Sequence, residues 1–182
     1  LIGEHTDYTG GYVLPMLLKY KTEIFISKGR NKNIVHSIHY DETVSFDNFI
    51  KSKNNHWSDY IKGCISVIKT YNSLPDDFFN ILINSNIPQD RGISSSSALC
   101  VSMLKALNKM YALKINNKNI AKLARRVERD YINVKGGIMD QMISSVGIFG
   151  KAFFLDCRTL KFELIDIPKN YIFCLVDSKI QR

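Results

Sequence analysis

Three clusters in the 182-residue chain carry groups suited to chemistry. In the first, GEHTDYTGG, glycines flank Glu4, His5, Thr6 and Asp7 ahead of an apolar stretch. Carboxylates accept hydroxyl protons and an imidazole can accept or donate, so the set suits a polyhydroxylated ligand. A solvated turn is the plainer reading of the same residues. No second histidine stands at ligand spacing from His5, which argues against a metal site there. The second cluster is the loop PQDRGISSSSAL, in which Ser94 to Ser97 open an apolar helical run. First-turn N–H groups have no intrahelical partner, so a phosphate placed there would meet free donors and the positive end of the helix dipole. Plain N-capping by the serine hydroxyls is the alternative. Neither G-x-x-x-x-G-K-S/T nor G-x-G-x-x-G occurs in the chain, which excludes those two phosphate loops. The third cluster is Glu128 with Asp140, each beside an inward apolar residue at the rim of a helix face. Surface charges are the bland reading of each acid. Two acids near a phosphate-holding helix could instead supply a Mg²⁺ ligand and a catalytic base.

These groups need elements to position them. From Tyr12 to Phe49 the runs YVLPMLL, TEIFIS, NIVHSIHY and TVSFDNF alternate or stay apolar between Lys, Asn and Gly turns, and predict strands of a largely antiparallel sheet. Helical spacing predicts a first helix over Trp57 to Tyr71, followed by the strand FFNILIN. Ser94 to Leu113 is apolar almost all round, which marks a helix buried in the body of the domain. An amphipathic helix over Asn117 to Tyr131 follows, and Gly136-Gly137 opens a short helix within GIMDQMISSVG. The tail predicts three further strands in KAFFLDC, KFELIDI and YIFCLVD.

Composition narrows the function classes. With 45% hydrophobic and 23% charged residues the chain reads as ordinary globular protein, one core-bearing domain in size. The net charge of +8 favours anionic partners only through the general field. Basic residues are scattered, and acids interrupt the one dense run, ARRVERD, so a nucleic-acid partner is not expected. Cys64, Cys100, Cys157 and Cys174 stand far apart without metal-knuckle or disulfide spacing and read as reduced thiols. No apolar run approaches the roughly 18 residues of a membrane span, and no signal-peptide pattern opens the chain, so a cytoplasmic protein is expected. The chain opens on Leu1 and is expected to be a fragment.

Taken together, the clusters closely resemble the galactokinase branch of the GHMP small-molecule kinase family. IGEHTDYTGGYVLPM is similar to the galactokinase signature segment, ISSSSA to the family's second motif, and GGIMDQMISSVGIFGKAFFLDCRTL to the segment around its catalytic aspartate. HWSDYIKG is also similar to the corresponding segment. The resemblance implies an α+β GHMP-kinase fold, a mixed sheet packed with helices, with an N-terminal domain over residues 1–155. Residues 156–182 would begin a C-terminal domain that is largely missing. It implies ATP and Mg²⁺ as cofactors and D-galactose as the substrate, phosphorylated to galactose 1-phosphate by a monomeric enzyme. Glu4, His5, Thr6, Asp7 and Gly137 would line the sugar site, and Asp140 would take the proton from the anomeric hydroxyl. Asp90, Arg91, Gly92, Ile93, Ser94, Ser95 and Ser96 would wrap the ATP phosphates, with Trp57 near the base. Ser96 and Glu128 would hold Mg²⁺.

The chain also departs from the pattern. The family's upstream arginine, its glycine-rich third motif and a later sugar-site tyrosine would lie outside Leu1 to Arg182, so the fragment alone is expected to be inactive. Asp90 and Arg91 stand where the family has small residues, often glycine. At about 4 Å from a phosphate, the Asp90 carboxylate would cost on the order of 4 kcal/mol at an effective dielectric near 20. Its side chain is therefore expected to point away, leaving Gly92 the unrestricted hinge. A non-catalytic sugar sensor, or a kinase for N-acetylgalactosamine, is the alternative function.

Overall fold

The computed structural model describes residues 1–52, 56–88 and 91–176. The fold is α+β, with two sheets packed against four α-helices. The larger sheet holds β2 (Thr22–Lys28), β3 (Asn33–Ser37), β4 (Glu42–Phe46) and β5 (Phe79–Ser85) in the order β2-β5-β3-β4. β5 pairs antiparallel with β2 and parallel with β3. The parallel pair requires a crossover, which α1 (Ser58–Asn72) supplies between β4 and β5. Alternation fixes which side is inward. Register places Ile24 opposite Ile83, Ile26 opposite Ile81 and Val35 opposite Val44, and these residues join one core cluster beneath α1 and α2.

α2 (Ser95–Met110) runs through the middle, packed against α1, β2, α3 (Asn117–Arg126) and α4 (Met139–Val146). Cys100, Met103, Leu104 and Leu107 are fully buried on it, as its apolar composition predicts. The Asn116 side chain accepts the Asn119 N–H and caps α3. The expected helix from Asn117 to Tyr131 does not stay α-helical: after Arg126 the chain widens into a π-helical segment, Val127–Ile132. Gly63 lets α1 approach that segment, since a Cβ there would lie 2.8 Å from Val127 Cγ1. On its outer face Arg126 and Arg129 pair with Asp130, consistent with a solvated charge run.

A second sheet corrects the expectation that Tyr12 to Phe49 forms one sheet. β1 is only Tyr12–Val13, and it pairs with β6 (Lys151–Asp156), which pairs in turn with β7 (Phe162–Asp166). Pro15 has no N–H to donate, so pairing beyond Val13 shrinks to isolated bridges from Leu14 to Ile2 and from Met16 to Ala152. Val13, Phe153 and Leu155 pack with Ala121, Ile138, Met142 and Ile143 as a second core under α3 and α4. Position 155 falls near the end of β6, whose hairpin partner β7 lies beyond it. The strand expected in YIFCLVD is absent over residues 171–176, which are exposed; a strand needs a neighbour's N–H and C=O groups, and the described residues provide none there. All four cysteines are free. Among the described residues no helix is long and apolar enough to cross a membrane.

Candidate functional site

An open cleft of about 680 Å³ lies between the inner end of the larger sheet and the starts of α2 and α4. Glu4, Trp57, Gly92, Ser94, Ser95, Ser96 and Asp140 all line it. Three sequence clusters therefore meet in one place.

The start of α2 is built differently from a plain cap. Ser94 precedes the helix in a left-handed conformation (φ 63°), and its hydroxyl makes no capping bond. Ser94 lines the cleft together with Asp140. The first-turn N–H groups are left without a side-chain cap at the cleft. Gly92 also adopts positive φ (69°), as a hinge glycine should. Arg91 and Gly92 are exposed, and Ile93 is half-buried. Asp90 lies outside the described residues.

Asp140 sits in the first turn of α4. Burial pushes its carboxyl above the ordinary value, and the Glu128, Asp7 and Glu4 carboxylates push it the same way against the Ser94 hydrogen bond. Such a group retains its proton more readily than an exposed aspartate and is suited to general acid–base work.

Glu128 is 7% exposed, in the first turn of the π-helical segment. Its Oε1 accepts from the Ser96 hydroxyl at 2.7 Å and its Oε2 from the Ser97 hydroxyl at 2.9 Å. The Gln141 amide also donates to Oε2. π-Turns inside helices recur at functional sites, and this one joins a carboxylate to two α2 hydroxyls. Tyr60, on α1, lines the same cleft; burial and the Glu128 charge push its phenol up to about 12.

The four residues Glu4 to Asp7 do not act alike. Glu4 lines the cleft. His5 is exposed, takes positive φ (66°) and meets the Tyr8 hydroxyl at 2.8 Å. The Thr6 hydroxyl donates to the Gly3 carbonyl at 2.8 Å and so holds the turn together. Asp7 reaches α4, where its Oδ2 accepts the Met139 N–H at 3.4 Å. Buried Gly137 lies directly against that carboxylate.

The far wall is aromatic. Trp57 stacks on Tyr40 with centroids 5.8 Å apart, and its indole N–H donates to Glu42 at 2.6 Å. His56 also meets Glu42, at 3.3 Å. Sequence reading singled out Trp57 but missed Tyr40, Glu42, Tyr60, Ser97 as a Glu128 partner, and Gln141. Nothing local marks Tyr40, since its stacking partner is 17 positions away. Gln141 adjoins Asp140 in a helix face of otherwise inward apolar residues, a signal that could have found it.

A family model described as the GHMP kinases N terminal domain matches residues 59–148, and one described as the galactokinase galactose-binding signature matches residues 1–28. The chain is similar to the solved structure of Lactococcus lactis galactokinase complexed with galactose, with 31% identity and a TM-score of 0.82 over 98% of this chain and 50% of that one. A Methanococcus jannaschii mevalonate kinase matches at 24% identity and TM-score 0.74, over 91% of this chain and 52% of that one. A D-glycero-D-manno-heptose 1-phosphate kinase from Bacteroides thetaiotaomicron matches at 19% and 0.73, over 92% and 54%. These last two share the fold. The chain spans about half the length of the structures it matches.

Proposed function

The chain belongs to the GHMP kinases and carries the galactokinase galactose-binding signature, and from that premise we propose that its protein phosphorylates D-galactose with ATP, giving galactose 1-phosphate and ADP. The observation that carries this reading is the convergence of Glu4, Ser94 to Ser96 and Asp140 on one cleft, with Glu128 bonded to Ser96 and Asp7 against the start of α4. Asp7 and Glu4 bind sugar hydroxyls. Asp140 accepts the proton of the anomeric hydroxyl as its oxygen bonds to the γ-phosphorus and the bond to the β-phosphate oxygen breaks, releasing ADP. The first-turn N–H groups of α2 and the Ser94 to Ser96 hydroxyls receive phosphate oxygens, and Trp57 with Tyr40 offers a flat apolar wall to the base. In such transfers the protein mainly positions the reactants and neutralises spreading charge, so the placement of Asp140 outweighs its basicity.

Mg²⁺ would be held by Ser96 and Glu128. They fit it: a hydroxyl and a carboxylate 2.7 Å apart are hard oxygen donors. One carboxylate completed by substrate phosphates is this ion's usual arrangement. When bound, the ion screens phosphate charge.

The test is ADP release by the full-length protein with galactose, with N-acetylgalactosamine and without sugar. Galactose-dependent release is expected. Galactose binding without ADP release in any arm would instead identify a sensor, and release only with N-acetylgalactosamine a kinase for that sugar.

A further inference from the structure

Gln141 lies on α4 one position after Asp140 and is 5% exposed. Its Nε2 donates to Glu128 Oε2 and stands 3.2 Å from the Ser97 hydroxyl oxygen, while its buried Oε1 has no partner. The glutamine keeps its acceptor unpaired while its Nε2 serves Glu128, so the contribution of the side chain lies in that one donor. The two Glu128 oxygens are also unequal. Oε2 is bound by Gln141 and by Ser97, which is 2% exposed, whereas Oε1 meets Ser96, a residue that lines the cleft.

We infer that Gln141 and Ser97 are positioning residues that anchor Glu128 Oε2 from behind, so that Oε1 and the Ser96 hydroxyl are presented together to a divalent cation in the cleft. The inference rests on the metal role proposed for Glu128. A carboxylate in a widened helical turn can otherwise rotate about its side-chain bonds, and two donors from two different helices remove that freedom.

The probe is Mn²⁺, titrated by electron paramagnetic resonance into the full-length protein with ADP present, alongside thermal unfolding without metal and galactose binding by calorimetry. Gln141→Met and Ser97→Ala are each expected to weaken Mn²⁺ affinity about 10-fold or more, the usual effect of losing a partner to a metal ligand. Galactose affinity should stay unchanged; Gln141→Met also strips a donor from the buried Glu128 carboxylate, so it should melt below wild type, and Mn²⁺ affinity is read well below that melting point. If Glu128→Gln weakens Mn²⁺ while both other variants bind it like wild type, the positioning role is overturned and the metal role stands. If Glu128→Gln also binds Mn²⁺ like wild type, the metal role itself fails, and the inference with it. Should Gln141→Met not fold, Ser97→Ala decides by the same readout.

Discussion

The Asp7 carboxylate occupies the space a side chain at Gly137 would need: a Cβ there would stand 1.7 Å from Asp7 Oδ2. The same oxygen accepts the Met139 N–H, so the N-terminal turn and the start of α4 are fitted to each other 132 positions apart. Gly137→Ala must therefore displace Asp7. In the full-length protein the galactose KM should rise on the order of 10-fold or more, since misplacing a binding group by an ångström has effects of that size. The ATP KM should stay near wild type, and steady-state kinetics with each substrate varied will separate the two; an unchanged galactose KM would remove Asp7 from the sugar site.

Asp140→Asn should lower turnover by about 10²-fold or more while galactose binding survives, because the amide keeps the shape but cannot take the proton. Single-turnover kinetics paired with calorimetric galactose binding checks this. Near-normal turnover would exclude Asp140 as the base.

The same substitution has a stability signature. Burial and the neighbouring carboxylates hold the Asp140 carboxyl above the ordinary aspartate value of 3.8, so the folded state keeps its proton more tightly than the unfolded chain does. Stability from this group is therefore present below 3.8 and declines as pH rises through the raised value. Asp140→Asn removes that decline. Its melting temperature should exceed wild type at about pH 7, with the gap closing toward about pH 4. A gap that stays constant with pH would contradict the raised titration.

Lys62 and Asp59 form a buried pair at 3.0 Å on α1, and Asp59 also accepts from the Ser52 N–H and hydroxyl. Burial alone would raise the Asp59 carboxyl, but Lys62 and Ser52 outweigh it and hold it below its ordinary value. Lys62→Met leaves that carboxylate buried without its cation. It should cost about 3 kcal/mol, at the lower end for a broken buried pair because Ser52 remains. Chemical denaturation at neutral pH measures it, and the loss should shrink as pH falls through the Asp59 range.

Much of the fold follows from local pattern. The alternation in TEIFIS and FFNILIN became β2 and β5, and the all-round apolar run after Ser94 became the central helix α2. Local pattern fails where a partner decides. Pro15 in the apolar YVLPMLL stretch was a legible sign that pairing would be cut short, but nothing local could reveal that β6 would claim Tyr12 and Val13. Nor could the clean periodicity of Asn117 to Tyr131 signal the π-helical widening after Arg126.

The site divides along the same line. The sequence by itself determined which groups are available: the carboxylates of Glu4, Asp7, Glu128 and Asp140, and a serine run at a helix start. Only the tertiary structure decided their partners, sending the Ser96 and Ser97 hydroxyls to Glu128, Asp7 to the start of α4, and Tyr40 onto Trp57. The reason is range. Backbone propensity and periodicity act over a few residues, whereas a hydrogen bond between side chains 31 positions apart exists only after packing has brought two helices together.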